Sequence, residues 1–431
     1  MRLRIDGTLD GLDRAAREHL RTRRPADQAD LAERVAAIVA RVRSEGDPAL
    51  LEYARTLDGA ELERLDVPRE AWRAAADRLD TGARRALERA TGNLERFHRA
   101  LIPPDVRAEP EPGVALERRS VPVRRVGVYA PGGRAAYPSS VLMGVVPARA
   151  VGVSEVIVCS PPGKDGRVSD AVLAAAWIGG ADRLFAVGGA GAIAALAYGT
   201  ETIPTVDVVV GPGNRWVNEA KKQVAGEVRI DSPAGPSELL VLADGNAEPT
   251  VVARELVAQA EHDPDAAVVL VTPDAALLEG VRTALRAEVA RAERKEVVEA
   301  SLAAHGALLR ADGLRAATEF ANEYAAEHLL LLVDEPGPTL AALRTAGTVF
   351  VGAHSSVAFG DYLTGANHVL PTGGRAHAFS GLSSEHFLRS FTVQHVSAAA
   401  AERMAADTGA LADLEGLPGH AYAARAAGGL A

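Results

Sequence analysis

The sequence is poor in cysteine, in aromatic residues and in long apolar runs. Its 431 residues contain one cysteine, Cys159, which excludes an internal disulfide framework and any zinc site built from paired thiolates. Aromatic residues make up 4%, so there is little material for stacking on single-stranded bases. No window approaches the ~20 apolar residues of a membrane span, and the N-terminus lacks the apolar segment of a signal peptide. We therefore expect a cytoplasmic protein without a membrane partner, in which any metal ligand is a nitrogen or oxygen atom.

Positive charge is also in deficit. The 47 lysines and arginines face 57 acidic residues, and the net charge of −10 supplies no counterion-release drive for nucleic acid. The 48% hydrophobic and 24% charged composition is typical of a globular protein. We expect a small-molecule ligand, no nucleic-acid partner and more than one domain.

Apolar spacing predicts amphipathic helices within residues 30–100. From Pro122, short apolar runs that end in Gly or Pro alternate with Ala-rich helical segments as far as Val224, and a second alternation covers residues 239–351. This alternation predicts an α/β fold with two domains and parallel sheets, and in the first alternation it places functional residues at the carboxyl ends of strands. Residues 353–384 have little periodicity, which is typical of a loop that belongs to a site, and Phe391–Ala431 is predicted as a short helical tail.

One glycine turn resembles a dinucleotide-binding turn. Gly189, Gly191 and Ala194 satisfy the G-x-G-x-x-A pattern between a predicted strand and a predicted helix. The next strand, Val208–Val210, runs into GlyProGlyAsn instead of ending in the acidic residue that usually binds the ribose. The glycines therefore either bind a pyrophosphate or only let the helix pack close to the strand.

Nine of the eleven histidines lie at or after position 262, which suggests metal or proton chemistry there. Gln259 and His262 share one face near a helix end, where they could hold an ion or face water. Glu327 and His328 lie where a helix gives way to a strand; they could be paired general bases, or His328 could be a helix C-cap. The remaining candidates are Asp361, Asn367 and His368 in the long loop, and Glu415 and His420 near the C-terminus.

Nine ordered motifs together resemble the histidinol dehydrogenase family over nearly the whole chain. They are TyrAlaProGlyGly (129–133), TyrProSerSerValLeuMet (137–143), AlaTyrGlyThrGluThrIlePro (197–204), GlyProGlyAsn (211–214), AspSerProAlaGlyProSerGlu (231–238), AlaGlnAlaGluHisAsp (258–263), GluTyrAlaAlaGluHis (323–328), GlyAspTyr with AsnHisValLeuProThr (360–372), and GluGlyLeuProGlyHis (415–420). The resemblance implies oxidation of L-histidinol through L-histidinal to L-histidine with two NAD, the last step of histidine biosynthesis.

The resemblance also implies a ligand set and roles. One Zn²⁺ per subunit would be bound by Gln259, His262, Asp361 and His420, the last from the partner subunit of a homodimer; this nitrogen and oxygen set suits Zn²⁺ or Mn²⁺. His328 would take the alcohol proton and Glu327 would activate the water that hydrates the aldehyde. The implied substrate contacts are Ser237, Gln259, His262, His328, Asp361, Glu415 and His420, and the implied NAD contacts are Tyr129, Gly191 and Asn214.

The family fold implies two incomplete Rossmann-like domains with small helical appendages. We predict an N-terminal appendage over residues 1–25, a first α/β domain of residues 26–128 and 239–380 with the metal and catalytic residues, a second, NAD-binding domain of residues 129–238, and a swapped helical tail over residues 381–431.

The chain departs from the family at Gly191, where glutamine usually contacts NAD, so we expect weaker NAD binding by about tenfold at most. This departure leaves an alternative open, a related dehydrogenase of another small polar alcohol such as a sulfonated diol. A zinc hydrolase that uses Glu327 without NAD and a non-enzymatic metal-binding protein are further alternatives.

Overall fold

The structure is a computed structural model that describes residues 2–23, 29–132 and 136–430. Gly133, the last residue of the TyrAlaProGlyGly motif, lies outside the described residues. The strands are β1 (Ile5–Thr8), β2 (Val106–Glu111), β3 (Val114–Pro122), β4 (Arg125–Tyr129), β5 (Glu155–Ser160), β6 (Arg183–Ala186), β7 (Val208–Val210), β8 (Arg229–Ile230), β9 (Glu238–Ala243), β10 (Ala267–Thr272), β11 (Ala307–Arg310), β12 (His328–Leu332), β13 (Thr348–Val351) and β14 (Leu388–Val396).

The α-helices are α1 (Arg14–Thr22), α2 (Ala29–Glu45), α3 (Asp47–Tyr53), α4 (Arg69–Arg78), α5 (Thr81–Ala100), α6 (Pro138–Ala150), α7 (Asp170–Gly179), α8 (Gly189–Tyr198), α9 (Arg215–Val224), α10 (Pro249–Ala260), α11 (Ala275–Arg291), α12 (Lys295–His305), α13 (Leu314–Tyr324), α14 (Pro336–Ala342), α15 (Val357–Tyr362), α16 (Ala398–Leu414) and α17 (Pro418–Ala427). A π-helical turn, Ala54–Asp58, extends α3, and 3₁₀ turns cover Arg375–His377 and Ser384–Phe387.

Two parallel sheets form the centre of the molecule. One has the strand order β6-β5-β4-β7-β8 and the other β1-β11-β10-β9-β12-β13. Every residue of β9 and β10 is buried, as expected of parallel strands covered by helices on both faces. The predicted α/β fold with parallel sheets is confirmed. No helix in the described part of the chain is both long and apolar enough to cross a membrane.

The N-terminal helices divide between the two sheets. Val35 of α2 and Leu50 of α3 share a core with Ile193 of α8, and Trp72 and Leu94 of α4 and α5 pack with strands of the same five-stranded sheet. The predicted first domain instead combines residues 26–128 with residues 239–380. The strand β1 and helix α1 do belong to the six-stranded sheet, because β1 is its edge strand and Leu20 packs in its core. The predicted domain borders themselves stay a prediction.

A third, antiparallel sheet has the order β14-β3-β2. Here the expected helical tail is wrong in part, because Leu388–Val396 is a strand that pairs with Val114–Pro122 along its whole length. Its run of Phe, Thr and Val residues favours an extended chain over a helix. The segment after it forms α16 and α17, in agreement with the predicted helices.

Candidate active site

The candidate residues come from both parallel sheets. In the five-stranded sheet, Tyr129 and Gly211 follow the carboxyl ends of β4 and β7. In the six-stranded sheet, Glu238 and His328 begin the adjacent parallel strands β9 and β12. In the five-stranded sheet these residues follow the carboxyl ends of strands, as predicted, and Glu327 and His328 lie at the junction of a helix with the strand β12, also as predicted.

Glu327 and His328 are both anchored on the backbone of Glu238. The amide N–H of Glu238 donates to Oε2 of Glu327 at 2.7 Å, and its carbonyl oxygen lies 3.0 Å from Nδ1 of His328. Because a carbonyl can only accept, Nδ1 carries the proton and Nε2 has a free lone pair. That Nε2 lies 3.6 Å from Oδ1 of Asp361. His328 is thus held as an oriented proton acceptor.

Burial sets the charge of this pair. Burial, and after it the neighbouring Glu238 carboxylate, raises the pKa of Glu327 well above the ordinary value. Burial lowers the pKa of His328 to about 3, so its imidazole is neutral at neutral pH. Glu327 and His328 are 6% and 3% exposed and their side chains approach to 3.5 Å. A carboxyl with a raised pKa beside a neutral imidazole is an arrangement suited to general base chemistry.

The long loop brings Asp361 and His368 to the same place. His368 donates from Nδ1 to the Asp361 carbonyl at 2.8 Å, and its Nε2 lies 3.4 Å from Oγ of Ser140 on α6. Burial raises the pKa of Asp361 to about 6 and lowers that of His368 to about 4. Asn367 has a structural role, since its amide donates to the Met143 carbonyl at 2.7 Å. The loop thus joins the two sheets at this site.

Gln259 lies in the last turn of α10, and His262 follows the helix by two residues. Nε2 of Gln259 is 3.3 Å from Nδ1 of His262, while Oε1 of Gln259 is buried and has no hydrogen-bond partner. A buried carbonyl oxygen without a partner costs about 1–3 kcal/mol, and a bound cation would satisfy it.

The C-terminal candidates lie elsewhere on this chain. Glu415 and His420, around the start of α17, are exposed, and no contact between them and Asp361 or Gln259 is present. Among residues 2–23, 29–132 and 136–430, no three His, Cys, Asp or Glu side chains are grouped so that they could hold a metal ion. Ser237, half-buried, accepts from the Ala267 amide through its carbonyl at 3.0 Å.

The residues expected to contact a dinucleotide lie at the carboxyl edge of the five-stranded sheet. The Tyr129 hydroxyl accepts from the Gly189 amide at 3.1 Å, and burial raises the pKa of Tyr129 to about 12. Asn214 caps α9 by accepting from the amides of Trp216 and Val217 at 3.0 and 3.2 Å. Gly211 has a φ of +116°, and a Cβ there would lie 2.1 Å from the Tyr129 carbonyl, so only glycine fits.

Gly191 is buried in α8. A Cβ added there would lie 3.2 Å from Cδ2 of Leu50 and 3.7 Å from Cδ2 of Tyr53. The glycine therefore allows α8 to pack closely against α3, in line with the packing interpretation of the glycine turn. A side chain at this position would require the end of the Leu50 side chain to shift by a few tenths of an ångström. The expected role of this position in NAD binding stays a prediction.

Sequence reasoning missed the two residues that support the pair. Glu238 accepts from Arg23 Nε at 2.8 Å and from the Gly373 amide at 2.6 Å, and both charged side chains are 3% exposed. Arg23 lies 215 residues before Glu238 and belongs to none of the nine motifs, whereas Glu238 ends the AspSerProAlaGlyProSerGlu motif but was given no role. The signal available in the sequence was Glu238 itself, a charged residue at the start of a strand that is otherwise apolar.

Comparison with known proteins gives a consistent result. A family model described as histidinol dehydrogenase matches residues 21–427. Histidinol dehydrogenase of Methanothermobacter thermautotrophicus is 46% identical over 391 residues, 91% of this chain and 92% of that protein. The enzyme of Halobacterium salinarum is 50% identical over 389 residues, 90% of this chain and 91% of that protein. The crystal structure of histidinol dehydrogenase from Elizabethkingia anophelis superposes with a TM-score of 0.94 at 32% identity and covers 99% of this chain and 98% of that one. This chain belongs to the histidinol dehydrogenase family.

Proposed function

We propose that the chain oxidises L-histidinol through L-histidinal to L-histidine, with two NAD reduced for each substrate and with a bound zinc ion, as an enzyme of the cytoplasm. The observation that carries the proposal is the buried Glu327–His328 pair, anchored on Glu238 and facing Asp361. A proton acceptor with a fixed tautomer and a carboxyl with a raised pKa are what an alcohol oxidation followed by an aldehyde hydration needs.

His328 serves the first oxidation. Its Nε2 lone pair takes the hydroxyl proton of the substrate while the carbon loses hydride, which leaves the aldehyde. Its Nδ1–H stays bonded to the Glu238 carbonyl, so the ring does not rotate when Nε2 becomes protonated.

Glu327 serves the second oxidation. Its carboxylate takes a proton from water as the water oxygen bonds to the aldehyde carbon, and the carbonyl oxygen takes the proton that His328 carries on Nε2 after the first oxidation, which gives the hydrate. Loss of a second hydride and of a proton from the hydrate then yields the carboxylic acid. The raised pKa makes Glu327 a stronger base than an ordinary carboxylate at neutral pH.

The residues present fit the implied groups. The buried Oε1 of Gln259 lacks a hydrogen-bond partner, and the Gln259 side chain lies beside His262. We infer that Gln259, His262, Asp361 and a partner subunit's copy of the His420 side chain bind the ion, while Tyr129, Asn214 and the segment around Gly191 contact NAD. When bound, NAD supplies the hydride acceptor for both oxidations and the ion orients the substrate.

The deciding experiment counts NADH formed per L-histidinol consumed by the zinc-loaded protein, with and without a chelator. Two NADH that are lost on chelation are expected. One NADH would mean that the reaction stops at the aldehyde, and none with folded, metal-loaded protein would reject histidinol as the substrate. E327Q is expected to slow the second oxidation by about 10²–10⁴-fold. The control is E323Q, because Glu323 is an exposed carboxylate on the same segment.

We infer further that the site is shared in a homodimer and that Ser237 and Glu415 contact the substrate. Large apolar side chains are exposed beside His420, among them Leu414 at 84% and Tyr422 at 68%. Such a patch indicates a surface that another protein covers.

The test mixes H420N with H328N after joint unfolding and refolding. If His420 acts in the partner's site, heterodimers regain one intact site and the mixture recovers about a quarter of wild-type activity. If each chain uses its own His420, the mixture stays inactive.

A further inference from the structure

One buried residue supports both members of the pair. Glu238 provides the N–H that holds Glu327 and the carbonyl that holds His328. A shift of its backbone would therefore move both side chains together. The proposed chemistry needs Glu327 and His328 in these orientations, and both orientations depend on where Glu238 lies.

The side chain of Glu238 is fixed from outside its own sheet strand. Arg23 binds it through two nitrogens, at 2.8 Å to Oε1 and 3.1 Å to Oε2, and the Gly373 amide adds a third donor. Arg23 also donates to the carbonyls of Leu20 and Tyr324, and its guanidinium lies 3.8 Å from the centre of the Tyr324 ring. The guanidinium thus donates hydrogen bonds from all three of its nitrogens and also stacks on the Tyr324 ring.

Two residues at the contact between Arg23 and the segment before Glu327 have left-handed backbone conformations. Among the described residues, the non-glycine residues with positive φ are Arg23 at +43° and Ala325 at +49°. Arg23 ends α1, and Ala325 follows Tyr324 and precedes Glu327 by two residues. Both left-handed turns therefore lie at the contact of Arg23 with the segment that leads into the pair, and such conformations persist where the surrounding structure holds them.

We propose that Arg23 is a positioning residue for the oxidation: by fixing the Glu238 carboxylate, it fixes the N–H and C=O that hold Glu327 and His328. Arg23 itself touches neither of them. This inference rests on the proposed function for its kinetic test. It gives the N-terminal segment a part in catalysis in addition to its docking on the six-stranded sheet.

The test compares R23M and R23K with a control that also weakens the docking of the N-terminal segment. In that control, D6N, the pair of Asp6 on β1 with Arg282 is changed; this pair is 2.7 Å long and does not touch Glu238. R23M is expected to lower kcat for L-histidinol by about 10–100-fold with a much smaller change in KM, because misplaced proton acceptors affect the chemical step. R23K should recover part of the loss, and D6N should keep kcat near wild type.

A second readout needs no turnover. The ¹⁵N shifts of the His328 ring, assigned with H328N, report which nitrogen carries the proton. The wild type should show the Nδ1–H form and R23M a mixture of forms. If R23M does not fold, R23K and E238Q are measured in the same way.

Wild-type kcat with an unchanged tautomer in folded R23M would overturn the inference, as would equal losses in R23M and D6N. Absence of NADH in the wild type would instead reject the proposed function, and the tautomer measurement would still decide the role of Arg23.

Discussion

Lys221 and Asp231 hold both backbone groups of Gly211. Lys221 is completely buried; its Nζ donates to the Gly211 carbonyl at 3.0 Å and forms an ion pair with Asp231. Oδ2 of Asp231 accepts from the Gly211 amide at 2.8 Å. The perturbation is K221M, which keeps the length of the side chain and removes its charge. It should destabilise the fold and displace the GlyProGlyAsn segment beside Tyr129.

The expected loss of stability follows from the burial of Lys221 and Asp231. Both side chains are almost inaccessible, at 0% and 2% exposure, so K221M leaves the buried Asp231 carboxylate without its counter-charge and the Gly211 carbonyl without its lysine donor. Breaking a buried ion pair in this way costs roughly 3–5 kcal/mol. For a chain of 431 residues the shift is roughly 1 °C per kcal/mol, so the melting temperature should fall by about 3–6 °C. NAD should also bind more weakly, because Asn214 is three residues after Gly211.

Denaturant unfolding, monitored by circular dichroism, measures the loss of stability. Calorimetric titration with NAD measures the change in cofactor affinity. The neighbouring residue provides the matched control: Lys222 pairs with Glu219 at 3.0 Å but is 41% exposed, so K222M should cost at most about 1 kcal/mol. Equal small losses in K221M and K222M would refute the reasoning. A destabilised K221M that binds NAD as tightly as wild type would separate the ion pair from the cofactor segment.

Three further outcomes are expected. The second oxidation requires the Glu327 carboxylate, whose pKa is raised by burial, so its rate should fall on acidification with a midpoint above the ordinary 4.5; a rate constant independent of pH down to 4.5 would contradict this. G191Q should lower stability by roughly 1–3 kcal/mol through overpacking against Leu50, measured by denaturant unfolding, whereas tighter NAD binding at unchanged stability would support the family contact. Burial lowers the pKa of His98 from 6.5 to about 4; the unfolded chain binds this proton first, so about 3 kcal/mol of stability should be lost as pH falls from about 7 to 4, and H98Q should show a correspondingly smaller loss.

The parallel sheets were predictable because their strands are short, continuous apolar runs bounded by Gly or Pro. Val208–Val210 coincides with β7, and Val268–Thr272 lies within β10. The elements that were missed carry weaker patterns. Every residue of β2 is exposed, so burial imposes no alternation on it. The strand β1, with the sequence IleAspGlyThr, is defined by pairing with a segment far along the chain.

The candidate site was predictable only where its residues are close in sequence. Glu327–His328 and Gln259 with His262 are local patterns on element ends. The contact between Arg23 and Glu238 joins residues 215 positions apart, and no periodicity encodes it. The local pattern also left open whether His328 caps a helix; the structure places it at the start of β12 and bonds it to Glu238 instead.

The pairing of β1 bears on how the chain folds during synthesis. Ile5 lies opposite Ala307, so β1 is synthesised about 300 residues before its partner strand exists. At roughly 5–20 residues per second, that delay is about 15–60 s. In that interval the whole five-stranded sheet, which ends at Ile230, has been synthesised. The N-terminal strand closes the edge of a sheet whose other members are made later, and Arg23 reaches Glu238 only after that long-range closure becomes possible.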